Sequence, residues 1–211
     1  MNNQEVTNLD RCFDEIVDFR FACKKFKKGE VISNEEIFKI LEAGRLAPSS
    51  FGMEPWRFIV IENQNLKERL REACWNQPQL SDSSFVIAIV VEVERIQDPQ
   101  EIAKNFIRRG LDSDATFKYI NRYNDFISAL PSVYEWGAKQ CYLAAMEMML
   151  KAASLKIDSC PIEGFEKDKV EMILDLNPPK EQIALIITFG YRDMPQSKRL
   201  RRDLREMIEW K

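Results

Sequence analysis

The residues best suited to bind a charged or ring-shaped ligand stand in a few short segments of the chain. A basic run extends from Arg20 to Phe26, a turn-rich stretch from Leu46 to Glu62, and a third segment from Cys160 to Phe165. Guanidinium and ammonium groups bind phosphate, and small hydroxyl residues in a turn offer O–H and N–H groups to an anion. A further basic group, Lys198 to Arg205, is by itself more typical of a solvated helix face.

The absence of histidine from the 211 residues excludes several kinds of chemistry. A Ser-His-Asp triad, a Cys-His couple and histidine ligands for zinc or haem are all ruled out, and we predict no metal site. The seven glycines form neither a GxGxxG fingerprint nor a P-loop, so a stably bound dinucleotide is not expected. Because no remaining side chain carries hydride, redox chemistry here requires a cofactor.

Composition indicates a cytoplasmic protein of one domain, spanning residues 1–211. The formal net charge of −3 does not favour nucleic acid or an acidic membrane surface as a partner. The sequence contains no signal-like apolar stretch and no run of 18 apolar residues, so no membrane association is expected. Five cysteines without a CxxC pair are typical of free thiols in a reducing compartment.

The apolar pattern predicts an α+β fold with a central sheet wrapped by helices. The predicted strands are Phe58–Ile61, Phe85–Val91 and Ile183–Phe189. The predicted helices cover 7–19, a segment after a capping box at Ser33, a segment capped by Asn65, Ser132–Ser154 and Glu166–Leu174. Residues 98–130 are more polar and predict irregular helices, either a lid facing the substrate or ordinary peripheral helices.

Taken in order, these segments resemble the nitroreductase family of FMN-dependent flavoproteins. The matching pieces are the basic run, PSSFGMEPWRFIV from Pro48, Trp75-Asn76-Gln77 with Ser81–Ser84, the long segment Glu135–Phe165, and the basic tail. The resemblance implies a mixed, mostly antiparallel sheet and FMN as the cofactor, with NADH or NADPH as co-substrate. It also implies a homodimer with FMN at the subunit interface.

The resemblance further implies which residues contact FMN. Arg20, Arg199 and Arg201 would face the phosphate, and Ala22 stands where the family usually has a hydroxyl. Lys24 would approach the N1/C2 edge of the ring, where a cation favours the reduced form. The ring contacts would be completed by Asn76 and Gln79, which are otherwise ordinary surface amides, and by Ile162, Glu163 and Gly164 near N5.

The turn Pro48-Ser49-Ser50 would, by the same resemblance, approach the flavin of the partner subunit. Gly52 and Glu54 depart from the family pattern, since relatives commonly carry Asn and Gln there. Trp56 is more typical of a core residue than of a flavin contact. The long helix from Ser132, with Trp136, is the expected interface element.

The implied function is an FMN-dependent oxidoreductase with a ping-pong cycle. Hydride passes from NADH or NADPH to N5, and the electron pair then passes to a small acceptor such as a nitroaromatic, a quinone or free flavin. The alternatives are a flavin reductase, an activated-alkene reductase on the same scaffold, or a non-catalytic FMN-binding protein. No general acid is evident in the sequence.

Overall fold

The computed structural model describes residues 12–211, and its centre is a four-stranded sheet. The strands are β1 (Trp56–Ile61), β2 (Phe85–Glu92), β3 (Asp158–Ile162) and β4 (Glu181–Gly190), in the order β1-β2-β4-β3. All three strand pairings are antiparallel, and an isolated parallel bridge joins Ala22 to Ser159 of β3. The predicted α+β fold with a mostly antiparallel sheet is confirmed.

Helices cover both faces of the sheet. Residues 12–19 are helical and are called α1; the rest of the helix predicted over 7–19 lies outside the described residues. The others are α2 (Asn34–Leu46), α3 (Gln64–Ala73), α4 (Gln79–Asp82), α5 (Pro99–Ile107), α6 (Ser113–Ser128), α7 (Val133–Ser154) and α8 (Lys167–Ile173). In the described part of the chain, no helix combines the length and apolarity needed to cross a bilayer.

Side-chain hydrogen bonds at the caps explain where these helices begin. At Ser33 the predicted capping box is present, with its hydroxyl accepting from the Glu36 N–H and Glu36 accepting from the Ser33 N–H. The cap of α3 is Asn63 and not the predicted Asn65, because Asn63 keeps extended backbone angles and accepts from the Leu66 N–H at 2.9 Å. At α7, Ser132 accepts from the Glu135 N–H, as the sequence predicts.

Strand β2 is buried along nearly its whole length and contributes to a core on each face. Phe85, Ile87, Ile89 and Val91 pack in a cluster with α2 and α7, while Val86, Ala88 and Val90 pack in a second cluster with α3 and α8. On the first face, a Cβ at Gly44 of α2 would lie 2.1 Å from the Met148 side chain of α7. An alanine at that crossing would therefore force the Met148 side chain to move.

Residues 98–130 form regular helices, which corrects the prediction of irregular ones. The carboxylates of Asp98 and Asp112 cap α5 and α6 by accepting backbone N–H groups. Both helices pack in a third cluster with Met53 and Trp136, where the Trp136 ring contacts Phe126 at a centroid distance of 5.8 Å. Trp136 therefore packs in the core of one chain. That the long helix α7 forms a subunit interface stays a prediction. A lid role for residues 98–130 and a single domain over 1–211 stay predictions as well.

The carboxylate of Asp158, at the start of β3, binds Arg192, which follows β4 and contacts residues 19–21. Its side chain is 3% exposed and forms an ion pair with Arg192 at 2.7 Å; it also accepts the Arg192 N–H at 2.9 Å. The Arg192 guanidinium in turn lies over the rings of Phe19 and Phe21, at 4.2 and 4.7 Å from their centroids. This contact fixes the chain that leads into the basic run.

Replacing Arg192 by Met should lower the free energy of unfolding by about 3–5 kcal/mol, because it leaves a buried carboxylate without its partner. Chemical denaturation measures the loss. The double variant Asp158→Asn/Arg192→Met should recover part of it, since no buried charge remains. Lys39→Met removes an exposed pair with Glu35 and should change stability little. Equal stability of Arg192→Met and wild type would contradict this role.

Candidate cofactor site

The basic run lies beside β3, and this places its charged side chains on one side of the chain. The Cys23 N–H donates to the Ser159 carbonyl at 3.0 Å, next to the bridge between Ala22 and Ser159. Side chains alternate along such an extended segment. Cys23 is buried in the core, whereas Ala22 and Lys24 are exposed. Arg20, Ala22 and Lys24, spaced two apart, therefore share the outer face.

Arginine side chains converge at one end of this face. Arg20, Phe21 and Ala22 line a cleft of about 310 Å³ together with residues 197–201 of the tail. Burial lowers the pKa of Arg20, and the positive charges of Arg199 and Arg201 lower it further. Arg199 is fixed there because its guanidinium donates to the carbonyls of Val17 and Arg20, each at 2.7 Å. An anion between these groups would relieve their repulsion, so the residues present fit a phosphate.

Lys24 lies further along the face, where it contacts a thiol. Its Nζ is 3.3 Å from Sγ of Cys160, a buried residue of β3. Burial raises the pKa of the Cys160 thiol, and hydrogen bonds from Lys24 and Gln79 oppose that rise. Gln79 is only 3% exposed, so it is not a surface amide. The structure thus brings Lys24 and Gln79 together at Cys160, although they are 55 residues apart in the sequence.

The turn Glu163-Gly164 follows β3 and packs against the loop after α3. Gln77 donates its side-chain amide to the Gly164 carbonyl at 2.9 Å. A Cβ on Gly164 would lie 2.6 Å from the ring of Trp75, and no positive φ requires glycine there. Space is therefore the reason for this glycine. Among the described residues, no hydrogen bond from the Gly164 N–H is found, and Gly164 is only partly buried.

Two neighbours of this turn have unusual positions. Trp75 and Asn76 both have a φ of 56°, the left-handed region, and Trp75 is 66% exposed. Tyr142 of α7 donates its hydroxyl to the Glu163 carboxylate at 2.5 Å.

Sequence reasoning missed Trp75, Gln77, Tyr142 and Cys160 as site residues. Trp75 and Gln77 flank Asn76, a signal that was available, whereas nothing local in the sequence links Tyr142 to Glu163.

The turn Pro48-Ser49-Ser50 is held by contacts with α7 and with its own loop. Ser50 donates its N–H to the side chain of Gln140 on α7 at 2.9 Å, and the Ser49 hydroxyl accepts the Glu54 N–H at 2.9 Å. Asn105 of α5 donates to the Gly52 carbonyl at 3.0 Å. Within residues 12–211, no hydrogen bond joins this loop to the basic run or to Glu163-Gly164. The described contacts therefore tie this turn to α5 and α7.

Comparison with known proteins agrees with the fold and shows the family. Residues 17–191 match the model of the Nitroreductase family. A Staphylococcus epidermidis protein named "Putative NAD(P)H nitroreductase" is 33% identical, with 100% of this chain and 99% of that protein covered. A solved Bacillus subtilis structure described as a nitroreductase aligns with a TM-score of 0.86 at 23% identity, over 94% of this chain and 98% of that one.

A solved structure from Exiguobacterium sibiricum is described as a nitroreductase in complex with FMN. It aligns with a TM-score of 0.83 at 27% identity and covers 94% of this chain and 97% of that one. With the family model matching most of the chain, the protein belongs to the nitroreductase family. That family consists of oxidoreductases, and the protein is an enzyme of this class.

Replacing Gly164 by Ala should lower the free energy of unfolding by about 1–3 kcal/mol, because the new methyl group overlaps the Trp75 ring. Thermal unfolding of Gly164→Ala, Trp75→Ala and the double variant checks this. Removal of the ring in Trp75→Ala should free the space, so Gly164→Ala should cost much less in that background. An equal cost in both backgrounds would show that the ring is not the obstacle.

Proposed function

We propose that the protein is an FMN-dependent oxidoreductase that oxidises NADH or NADPH and reduces a small organic acceptor. The observation that carries this proposal is the convergence of Arg20, Arg199 and Arg201 on one cleft, next to Lys24 on the same face of the chain. FMN has a phosphate at one end and an electron-accepting ring at the other. The FMN complex of the Exiguobacterium relative and the names of the curated relatives support both cofactor and co-substrate.

The arginines at the cleft would hold the phosphate. Guanidinium groups make charge-assisted, often paired hydrogen bonds to phosphate oxygens. Arg199 is already fixed by two carbonyls, which reduces the side-chain entropy lost when the anion binds. Ala22 lines the cleft but offers no hydroxyl.

The residues further along would contact the flavin ring. Lys24 supplies a positive charge, and its contact with the Cys160 thiol leaves that charge unneutralised. At the Glu163-Gly164 turn, the free N–H of Gly164 faces no described acceptor and would serve N5. Asn76 is exposed and would offer its side-chain amide to the pyrimidine edge. Ile162 is the last residue of β3, and the buried Gln79 forms a hydrogen bond with the Cys160 thiol.

When bound, FMN supplies the redox chemistry, accepting hydride from NADH or NADPH and giving an electron pair to the acceptor. The chain positions the substrates and supplies charge. A nitroaromatic or a quinone suits such a pocket because both accept an electron pair and both are planar. No separate dinucleotide fingerprint exists in the sequence, so donor and acceptor would use the same place in turn.

A homodimer would complete the site. By resemblance to the family, the loop with Pro48, Ser49, Ser50 and Gly52 would contact the FMN of the partner subunit, and contacts from α7 and α5 hold this loop. Large apolar side chains are exposed on α7, on α2 and on the tail, as expected of an interface. They are Tyr142, Leu143, Met146, Phe38, Leu46, Leu200, Leu204, Met207, Ile208 and Trp210. All five cysteines are free, which supports a reducing, cytoplasmic location.

The visible spectrum of the purified protein tests the function directly. Absorption bands of oxidised flavin, with about one FMN per chain, should bleach under anaerobic NADH or NADPH and return when a quinone or nitroaromatic is added. Bands that resist both reductants would identify a non-catalytic FMN-binding protein. A colourless protein that does not take up added FMN would contradict the proposal.

Replacing Arg20 by Ala should weaken FMN binding roughly tenfold to a hundredfold, because one charge-assisted phosphate contact is lost. Titration of the FMN-free protein with FMN measures the dissociation constant. Arg202→Ala is the matched control: Arg202 belongs to the same tail but does not line the cleft, so its affinity should stay near wild type. Equal affinity of Arg20→Ala and wild type would remove the basic run from the phosphate site.

The protein should sediment as a homodimer that releases flavin when it dissociates. Replacing the exposed Leu143 and Met146 of α7 by Glu should shift the equilibrium toward monomer, since two carboxylates would then be buried at the interface. Analytical ultracentrifugation at the flavin absorption maximum follows both events together. A monomer that keeps its FMN would contradict the shared site.

A further inference from the structure

The side chain of Tyr142 makes a contact at the candidate site that neither the family match nor the sequence assigns. Its hydroxyl lies 2.5 Å from a carboxylate oxygen of Glu163, which is short for an O–H···O bond and typical of a charge-assisted one. The phenol is 40% exposed and projects from α7, a helix of 22 residues that packs against β2 and β4. A rigid helix therefore holds one end of the hydrogen bond.

The other end of the bond belongs to a turn that is held from the opposite side as well. Gln77 donates to the Gly164 carbonyl at 2.9 Å, and Glu166 donates its N–H to the Ala73 carbonyl at 2.9 Å. The Trp75 ring limits the space beside Gly164. These contacts fix the carbonyl side of the turn, whereas Tyr142 fixes the Glu163 side chain. The Phe165 N–H also donates to the Glu163 carbonyl at 3.0 Å, so hydrogen bonds hold the turn through both its backbone and the Glu163 side chain.

We propose that Tyr142 is a positioning residue of the reaction: through Glu163 it holds the peptide whose N–H faces the bound flavin. The inference rests on the proposed function, since it assigns the turn to N5. A hydrogen bond to N5 stabilises the reduced ring only while the N–H keeps its direction. Loss of the Tyr142 hydroxyl would let the Glu163 side chain rotate into solvent. The backbone of the turn would then become more mobile, and the Gly164 N–H would lose its fixed direction.

The ionisation of Tyr142 agrees with this role. Burial raises the pKa of its phenol, and the hydrogen bond to Glu163 and the charge of that carboxylate raise it further. The phenol therefore stays protonated at physiological pH and remains a donor. The pair would hold the turn throughout the catalytic cycle, without itself gaining or losing a proton.

Tyr142→Phe tests the inference because it removes only the hydroxyl and keeps the ring. In the FMN-loaded protein we expect a more negative midpoint potential and roughly threefold to tenfold slower reduction by NADH or NADPH. Tyr134→Phe is the matched control. Tyr134 lies on the same helix and donates to the Ile183 carbonyl at 2.8 Å, so its loss should affect stability but not the potential.

A double-mutant cycle separates action through Glu163 from a general effect on the helix. In a Glu163→Ala background, Tyr142→Phe should have no further effect on the potential. Glu163→Gln keeps an acceptor oxygen and should stay closer to wild type than Glu163→Ala. Additive effects of Tyr142→Phe and Glu163→Ala, or a wild-type potential in Tyr142→Phe, would overturn the inference.

Hydrogen exchange of the FMN-free protein gives a readout that does not depend on the cofactor. The Phe165 N–H donates to the Glu163 carbonyl at 3.0 Å, and its exchange should be faster in Tyr142→Phe than in wild type and in Tyr134→Phe. Unchanged exchange would contradict the inference. A protein that fails to bind FMN would overturn the proposed function, while the exchange comparison would still decide whether Tyr142 holds the turn.

Discussion

The buried ion pair between Asp158 and Arg192 is the contact on which the candidate site depends. The positive charges of Arg199 and Arg201 lie near Arg20, and these groups repel one another when no anion is bound. Something else must keep this segment in place. Arg192 does so because it pairs with Asp158 of β3, stacks on Phe19 and Phe21, and donates to the Phe19 carbonyl. These contacts hold the segment in place beside the cleft, despite the repulsion among its arginines.

The parts of the fold that sequence predicts correctly are those set by local chemistry. β2 is a run of apolar residues, and the caps of α2 and α7 at Ser33 and Ser132 depend on groups three residues away. Either Asn63 or Asn65 could cap α3. The cap is the one whose backbone stays extended after β1, which is Asn63, and tertiary structure determines this. Local patterns also suggest a lone surface amide at Gln79, yet the chain buries it beside Cys160, 81 residues later.

The same limit applies to the site. Resemblance to a family identified Arg20, Lys24 and the Glu163-Gly164 turn because each stands in a recognisable string of residues, and the structure places them along β3. It did not identify the partners that hold them. Tyr142 is 21 residues before Glu163 and Gln77 is 87 before Gly164, so no periodicity joins them. Contacts of this kind follow from how α7 and the loop after α3 pack on the sheet.

The loop from Ser49 to Glu54 is supported by residues at the end of α5. Phe51 and Glu54 have φ values of 54° and 46°, each a strained backbone that costs on the order of 1–3 kcal/mol. Such a strained backbone persists only where surrounding contacts stabilise it. Asn105, Arg108 and Arg109, at the end of α5, bind the carbonyls and the carboxylate of this loop. The end of α5 therefore supports the turn that would reach the partner's cofactor, and changes there would alter the backbone of that turn directly.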